Sequence, residues 1–427
     1  MRALIKKGGS IHPPVFFTSA ALLGLFLSVG VFATEQADRV FPSLLDAVGR
    51  NFGWFYLACV AGFLALCLWL IVSPYGAYRL GKDDEEPEFA TWTWFAMLFS
   101  AGMGIGLVFN GVAEPMMHFA SPPVLEGGTL DAARDALPRT FLHWGLHAWA
   151  IYGVVALAIA FFAFRHGLPL TLRSCLYPLL GDRIYGWPGD VVDVLAVIGT
   201  LFGLACSLGI GAMQVSAGLN EVFGLPHSTA TQLVVIVVIT IAATFSLVTG
   251  VSAGIRRLSE LNMVLASVLL LFVACVGPGF SLIQVGVESV GIYLGTFIER
   301  TFYIGALDDK QSDWTTAWTI VYWGWWIAWA PFVGVFVARI SRGRTIREFL
   351  LGVLLVPTAI NFIWFTVFGG TALEMQLNRG IDISGAVTHD IATAIYVMLA
   401  QLPGSSISAF VAMAVVSIFF VTSSDSA

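Results

Sequence analysis

Apolar residues run along this chain in blocks of about 20, each long enough to cross a bilayer as a helix, with short polar stretches between them. Nine complete blocks are predicted at roughly 14–34, 52–74, 91–117, 140–164, 188–222, 230–250, 259–281, 313–339 and 347–370, and a tenth begins near 407. They are numbered spans 1 to 10 in that order. Residues 284–302 mix apolar and polar positions and are predicted to form an amphipathic helix on the outer face. The acidic run at 83–88 reads as a solvated loop, because Pro87 disfavours helix there. The last block stops at Ser423-Ser424-Asp425-Ser426-Ala427 with no basic anchor, so the chain reads as interrupted within its tenth span.

Composition agrees with this pattern. Mean hydropathy is +0.85, and 11% of residues are charged, against about 25% in soluble globular domains. The predicted fold class is therefore an all-α polytopic membrane protein. Arg2, Lys6 and Lys7 resemble the start of a signal peptide, but the apolar run behind them is long for one and more spans follow, so an uncleaved first span is predicted. With the N-terminus inside, 14 of the 21 basic residues fall on the inner side, densest at Arg339–Arg347, and seven on the outer side. The five cysteines form no close-spaced pair and read as small core residues.

Three stretches depart from plain apolar helix. Span 3 carries Gly102, Gly104 and Gly106 at alternate positions. Each costs about 1 kcal/mol in a helix interior, and the spacing spreads them around the helix instead of along one packing face, which predicts an unwound segment with exposed carbonyls. Further along, Glu114-Pro115 reads as a gating or structural feature. Span 8 holds six of the 14 tryptophans between Trp314 and Trp329. Tyr322, Trp325, Trp326 and Trp329 share one helical face by their spacing, which suits a methylated ammonium ion held by indole faces. An interfacial aromatic belt is the plainer alternative, but belts sit at segment ends. The end of span 10, Thr422 to Ser426, sets oxygen-bearing side chains at membrane depth, and with span 3 it forms a plausible two-helix site for a hard cation.

Span 4 contributes His143, Trp144, His147 and Tyr152, with Trp144 and Tyr152 on one face. Both histidines sit near the outer end and read as interfacial hydrogen-bonding groups. They could hold Zn²⁺ as an i, i+4 pair, but no acid neighbours them in HExxH order, which argues against a membrane-embedded enzyme. A channel is a second rival, and a single cage on broken helices suits occlusion better than a continuous pore.

The Gly102–Gly106 and Glu114-Pro115 segment, the Trp318–Phe332 run continuing to Phe349 through its basic loop, and the Thr-Ser-Ser-Asp-Ser ending resemble the betaine/choline/carnitine transporter family, most closely its sodium-coupled glycine betaine carriers. The resemblance runs from about His12 to the last residue. It implies two peripheral helices followed by paired five-helix inverted repeats, often assembled as homotrimers. On that plan 1–90 holds the cytoplasmic N-terminus and spans 1–2, and 91–282 is the first repeat. Residues 283–312 are the outer helix and loop, and 313–427 begin a second repeat that lacks two further spans. The broken helices would be span 3 and its counterpart, span 8.

The resemblance also implies roles for particular residues. The substrate cage falls on Trp325, Trp326 and Trp329 with Trp144 and Tyr152, beside Gly104 and Gly106. A sodium site would use Ser100, Met103, Phe419, Thr422 and Ser423. A second would use Thr200, Tyr152 and Phe332, where Leu204 takes a threonine's place and removes one oxygen ligand. Gly106 stands where choline carriers tend to have an acid, and neutral Asn262 and Met263 stand near the basic side chain of sodium-independent carnitine antiporters. Val321 replaces a usual aromatic. The implied function is symport of a betaine-type trimethylammonium solute with Na⁺ across the cell (inner) membrane by alternating access. No cofactor, no enzymatic activity and no nucleic-acid partner is implied. A choline or carnitine carrier driven by protons or by exchange is the alternative.

Overall fold

The computed structural model describes residues 11–102, 104–249 and 252–426, without the side chains of 99–102, 246–249, 252–256 and 423–426. Two long helices come first, α1 (Pro13–Phe32) and α2 (Thr34–Val72). α2 has 39 residues, about 58 Å of helix at 1.5 Å per residue, against roughly 30 Å of bilayer core. Residues 35–51, predicted as a connection, are therefore helical. They carry the outer contacts of α2, where Arg50 pairs with Asp46 and reaches Asp313 at 3.0 Å.

Span 3 is two helices, α3 (Thr91–Gly102) and α4 (Ile105–Ala120). Gly104 between them is extended, at φ −150° and ψ 179°. The interruption predicted from the alternating glycines is present. Span 4 is also broken, which its sequence did not announce. α5 (Leu130–Trp144) and α6 (Leu146–Ala160) meet at Gly145, whose φ and ψ are −96° and −139°. Its neighbouring carbonyls find side-chain partners, as orphaned groups in a membrane interior must. Trp326 donates its Nε1–H to His143 O at 2.9 Å, and Asn361 donates its amide to Trp144 O at 2.8 Å.

The chain continues through α7 (Tyr177–Leu180), α8 (Trp187–Phe223), α9 (Thr229–Thr249) and α10 (Ser252–Val276). The outer amphipathic segment is α11 (Phe280–Gly295) with α12 (Phe297–Thr301). A short α13 (Asp309–Thr315) and a π-helical turn (Thr316–Ile320) lead into α14 (Val321–Ile340), followed by α15 (Ile346–Asn378), α16 (Ile383–His389), α17 (Ala394–Leu399) and α18 (Ser405–Ser426). Span 8 is thus not broken at its tryptophans. α14 passes Gly324 and Pro331 without interruption, and the irregularity sits one turn earlier, in the π turn. One isolated glycine costs too little to unwind a helix packed along its length.

The centre of the protein is α14, packed against α6 and α8. α15 closes one side over α3, α4, α5 and α6, and α18 closes the other against α8, α9, α10 and α4. Eight helical segments are long and apolar enough to cross a membrane among the described residues. Charged contacts gather in two groups. At one rim Arg339 pairs with Glu88, Arg342 with Glu85, and Arg165 with Asp83. At the other, Arg134 pairs with Glu288, and Asp135 joins Arg139 to Arg300. The acidic run 83–88 is therefore not simply solvated. Backbone bonds Leu80 N to Arg344 O (2.8 Å) and Gly343 N to Leu80 O (2.8 Å) tie its neighbourhood to the loop between α14 and α15. Of the cysteines only Cys67 is buried, while Cys206 and Cys275 face outward. An apolar chain spends small apolar residues on lipid as readily as on its core.

Candidate functional site

A cavity of about 250 Å³ opens where the break between α3 and α4 faces α14. Its aromatic wall is Trp144, Trp149, Tyr152, Trp325, Trp326 and Trp329. Trp144 meets Trp326 edge-on with centroids 5.0 Å apart, and Tyr152 meets Trp326 edge-on at 5.6 Å. Trp325 stacks on Trp326 at 5.5 Å and 12°. Trp329 turns its ring toward Phe332 and packs on Gly203, further along the same cavity. The cage residues are brought together, and the plainer belt reading fails. The tryptophans that do face outward are others, such as Trp92 and Trp187 at 82% and 77% exposure.

Gly104 and Gly106 form the floor opposite these rings. A Cβ on Gly106 would lie 2.8 Å from Trp325 Cη2 and 3.1 Å from Trp144 Cη2, so the close approach of two indoles requires glycine there. Val321, whose size was expected to widen the cage, is not part of the lining and is 36% exposed.

Beyond the rings the lining turns polar at Ser207, Ser259, Asn262, Asn361 and Thr422. Both polar atoms of buried Asn262 and the Nε1–H of Trp325 have no hydrogen-bond partner among the described residues. Among the described residues no Asp, Glu, Lys, Arg or His lines the cavity. Phe419 and Thr422 of α18 reach it beside Gly104 and Ile105, and Gly211 of α8 sits against both Ile105 and Phe420. Thr422 directs its hydroxyl at Ile418 O at 2.9 Å and at Phe419 O at 3.3 Å. Met103 and the side chains of Ser100 and Ser423 lie outside the described residues. Of the second set, Tyr152 and Phe332 line the cavity and Thr200 does not.

Sequence reasoning missed the polar centre at one end of the cage. Glu114, His143 and His147 are buried, not interfacial. The histidines diverge, His143 toward Glu114 and Thr319, His147 toward Thr301, so they form no i, i+4 metal pair. Glu114, His118 and His143 do bring ligand atoms within 4.8 Å of one another. Glu114 Oε1 lies 2.7 Å from His143 Nδ1 and 3.3 Å from His118 Nε2, the separations of hydrogen bonds. The i, i+4 spacing of Glu114 and His118 was the available signal. Trp149 and Asn361 carried none.

These features define a multi-pass helical membrane protein whose broken helices and tryptophan helix enclose a neutral aromatic cavity. The BCCT family, betaine/carnitine/choline family transporter, matches residues 14–427, and the chain belongs to that family; it is a transporter, not an enzyme. It is 44% identical over 414 residues to the glycine betaine transporter OpuD of Bacillus subtilis, covering 97% of this chain and 80% of that protein. Glycine betaine transporter 1 of Vibrio parahaemolyticus is 44% identical over 426 residues, with 99% and 81% covered. The glycine betaine transporter of Acinetobacter baylyi is 43% identical over 418 residues, where the chain spans 98% of itself and 63% of that relative.

Proposed function

We propose that this protein imports a net-neutral, betaine-type trimethylammonium solute together with Na⁺ by alternating access. The observation that carries the reading is the cavity lining, aromatic on one side, polar on the other, and without a formal charge. A quaternary ammonium cannot donate hydrogen bonds and is held by the electron-rich ring faces among Trp144, Trp325 and Trp326. A net cation such as choline would bring an uncompensated charge into this low-dielectric site. A zwitterion carries its own counter-charge, and Trp325 Nε1–H with the Asn262 amide offers unpaired donors to its carboxylate. The names of the three relatives, all glycine betaine transporters, favour the same substrate.

Na⁺ enters this account as a co-substrate. Thr422 Oγ1 and the Phe419 carbonyl, with the break between α3 and α4 opposite, supply a low-charge oxygen set. A cation bound there joins α18 to the start of α4 and so fixes the floor on which the cage stands. Release on the inner side would follow from rocking of two inverted repeats, the first formed by α3–α10 and the second begun by α13–α18. The protein is further proposed to lie in the cell (inner) membrane with its N-terminus inside, as a homotrimer. The test is radiolabelled uptake into cells lacking their own carriers, with glycine betaine, choline, carnitine and sulfonium analogues competing. Saturable, sodium-dependent uptake that glycine betaine inhibits best is expected. Equal uptake without sodium removes the symport, and preferential competition by choline removes the zwitterion.

A further inference from the structure

We infer that Glu114 is the residue that sets the cage, a positioning residue that anchors the indole of Trp144 and the phenol of Tyr322 from a third helix. The inference rests on the cage reading above. Glu114 lies on α4, buried, and among the described residues no lysine or arginine pairs with it. One carboxylate oxygen, Oε1, meets the imidazoles of His143 and His118. The other, Oε2, accepts from Trp144 Nε1 at 2.7 Å and from the hydroxyl of Tyr322. A carboxylate has about four acceptor sites, and all four are engaged by side chains of α4, α5 and α14.

Two consequences follow from that arrangement. Trp144 and Tyr322 meet edge-on with centroids 5.8 Å apart, and each packs on Trp326. Their only polar atoms converge on one oxygen, so the orientation of Trp144 toward the cavity depends on where Glu114 Oε2 lies. Removing the carboxylate leaves an indole N–H and a phenol O–H buried without an acceptor, which the rings relieve by turning. The side of the cage that meets Trp325 and Trp326 edge-on then moves, although Glu114 itself does not line the cavity. The second consequence concerns a neutral replacement. Glutamine can turn its oxygen to Trp144 and Tyr322 and its NH₂ to His143, because a neutral imidazole presents an acceptor when its proton moves to the other nitrogen. For His143 that proton would then face Thr319 Oγ1, 3.1 Å from Nε2, which can accept it.

The test is direct binding of radiolabelled glycine betaine to purified protein, for Glu114→Leu, Glu114→Gln, Trp144→Leu and the double variant Glu114→Leu/Trp144→Leu. Glu114→Leu is expected to weaken binding at least tenfold and Glu114→Gln less than threefold. The double variant is expected to bind no more weakly than Trp144→Leu, since both changes remove the same positioned ring. Additive losses overturn the inference, as does a glutamine variant as weak as the leucine one. Loss in Trp144→Leu with none in Glu114→Leu also overturns it and leaves the cage standing. Unchanged binding in Trp144→Leu removes the cage reading itself. Should Glu114→Leu not reach the membrane, Glu114→Asp withdraws the oxygens by one methylene while keeping the charge. It has the same expected direction, and unchanged affinity in it overturns the inference.

Discussion

Gly106→Ala isolates the geometry of the cage from the stability of the fold. Gly106 occupies the second position of α4, and its φ is not positive, so alanine fits the backbone there. In helix propensity alone the change is favourable by about 1 kcal/mol. The added methyl, however, lies 2.8 Å from Trp325 Cη2 and 3.1 Å from Trp144 Cη2. Neither ring is free to retreat. Trp325 is stacked on Trp326 at 5.5 Å, and Trp144 is tethered to Glu114 at 2.7 Å. Inserting a methylene-sized group into such packing costs about 1–3 kcal/mol, which is roughly 5- to 150-fold in an equilibrium constant. The strain lands on the two rings that hold the ammonium. Substrate affinity should therefore fall by roughly that factor, while the propensity gain offsets part of the strain and the melting temperature stays level or falls slightly. The assay is equilibrium binding of glycine betaine to purified protein beside a thermal melt of the same sample. Affinity within twofold of the parent would refute the argument, because it would mean that the rings do not approach the floor as closely as described.

Other expectations can be checked alongside. Trp326→Leu removes the ring that contacts Trp144, Tyr152 and Trp325 and leaves His143 O unpaired, so saturable uptake should disappear with membrane insertion intact, read by uptake and surface labelling. Thr422→Ala removes a hydroxyl beside the Phe419 carbonyl and should raise the sodium concentration needed for half-maximal uptake severalfold, with substrate affinity at saturating sodium nearly unchanged. Asn361→Leu leaves Trp144 O without its donor at the Gly145 break and should cost about 1–3 kcal/mol of stability, seen as a lowered melting temperature. In the loop before α3, the hydrogen bond from Arg339 holds the Glu88 carboxyl below its ordinary range. The contribution of that pair is fully present above the ordinary glutamate pKa and is lost as pH falls through the depressed folded value. The melting-temperature difference between the parent and Glu88→Gln should be small at neutral pH and vanish on acidification.

The spans were legible because a bilayer imposes one requirement, about 20 apolar residues per crossing, and α1 and α9, of 20 and 21 residues, follow it closely. The outer half of α2 was not. Residues 35–51 are polar enough to read as a loop, yet the helix continues through them because outer charged groups such as Asp313 receive Arg50 there. The cage was legible in its tryptophans, whose helical spacing needs no tertiary information. The polar centre on Glu114 was not, because it is assembled from α4, α5 and α14, elements 29 to 208 residues apart. One-dimensional spacing shows only its i, i+4 member, His118.

The two helix breaks differ in how the sequence encodes them, and that difference says what each is for. Three alternating glycines weaken α3–α4 intrinsically, so that interruption needs no partner, and it opens on the cavity, where a Cβ on Gly104 would meet nothing within 4 Å. Gly145 stands alone between Trp144 and Leu146, and one glycine is too cheap to stop a helix. Its break persists because Trp326 and Asn361 take up the carbonyls beside it. The indole that stabilises the second break is itself a wall of the cage. Anything that turns Trp326 must therefore also disturb the junction of α5 and α6, whereas movement at Gly104 carries no such cost. The first break is free to adjust at Gly104, and the second is locked to the position of Trp326.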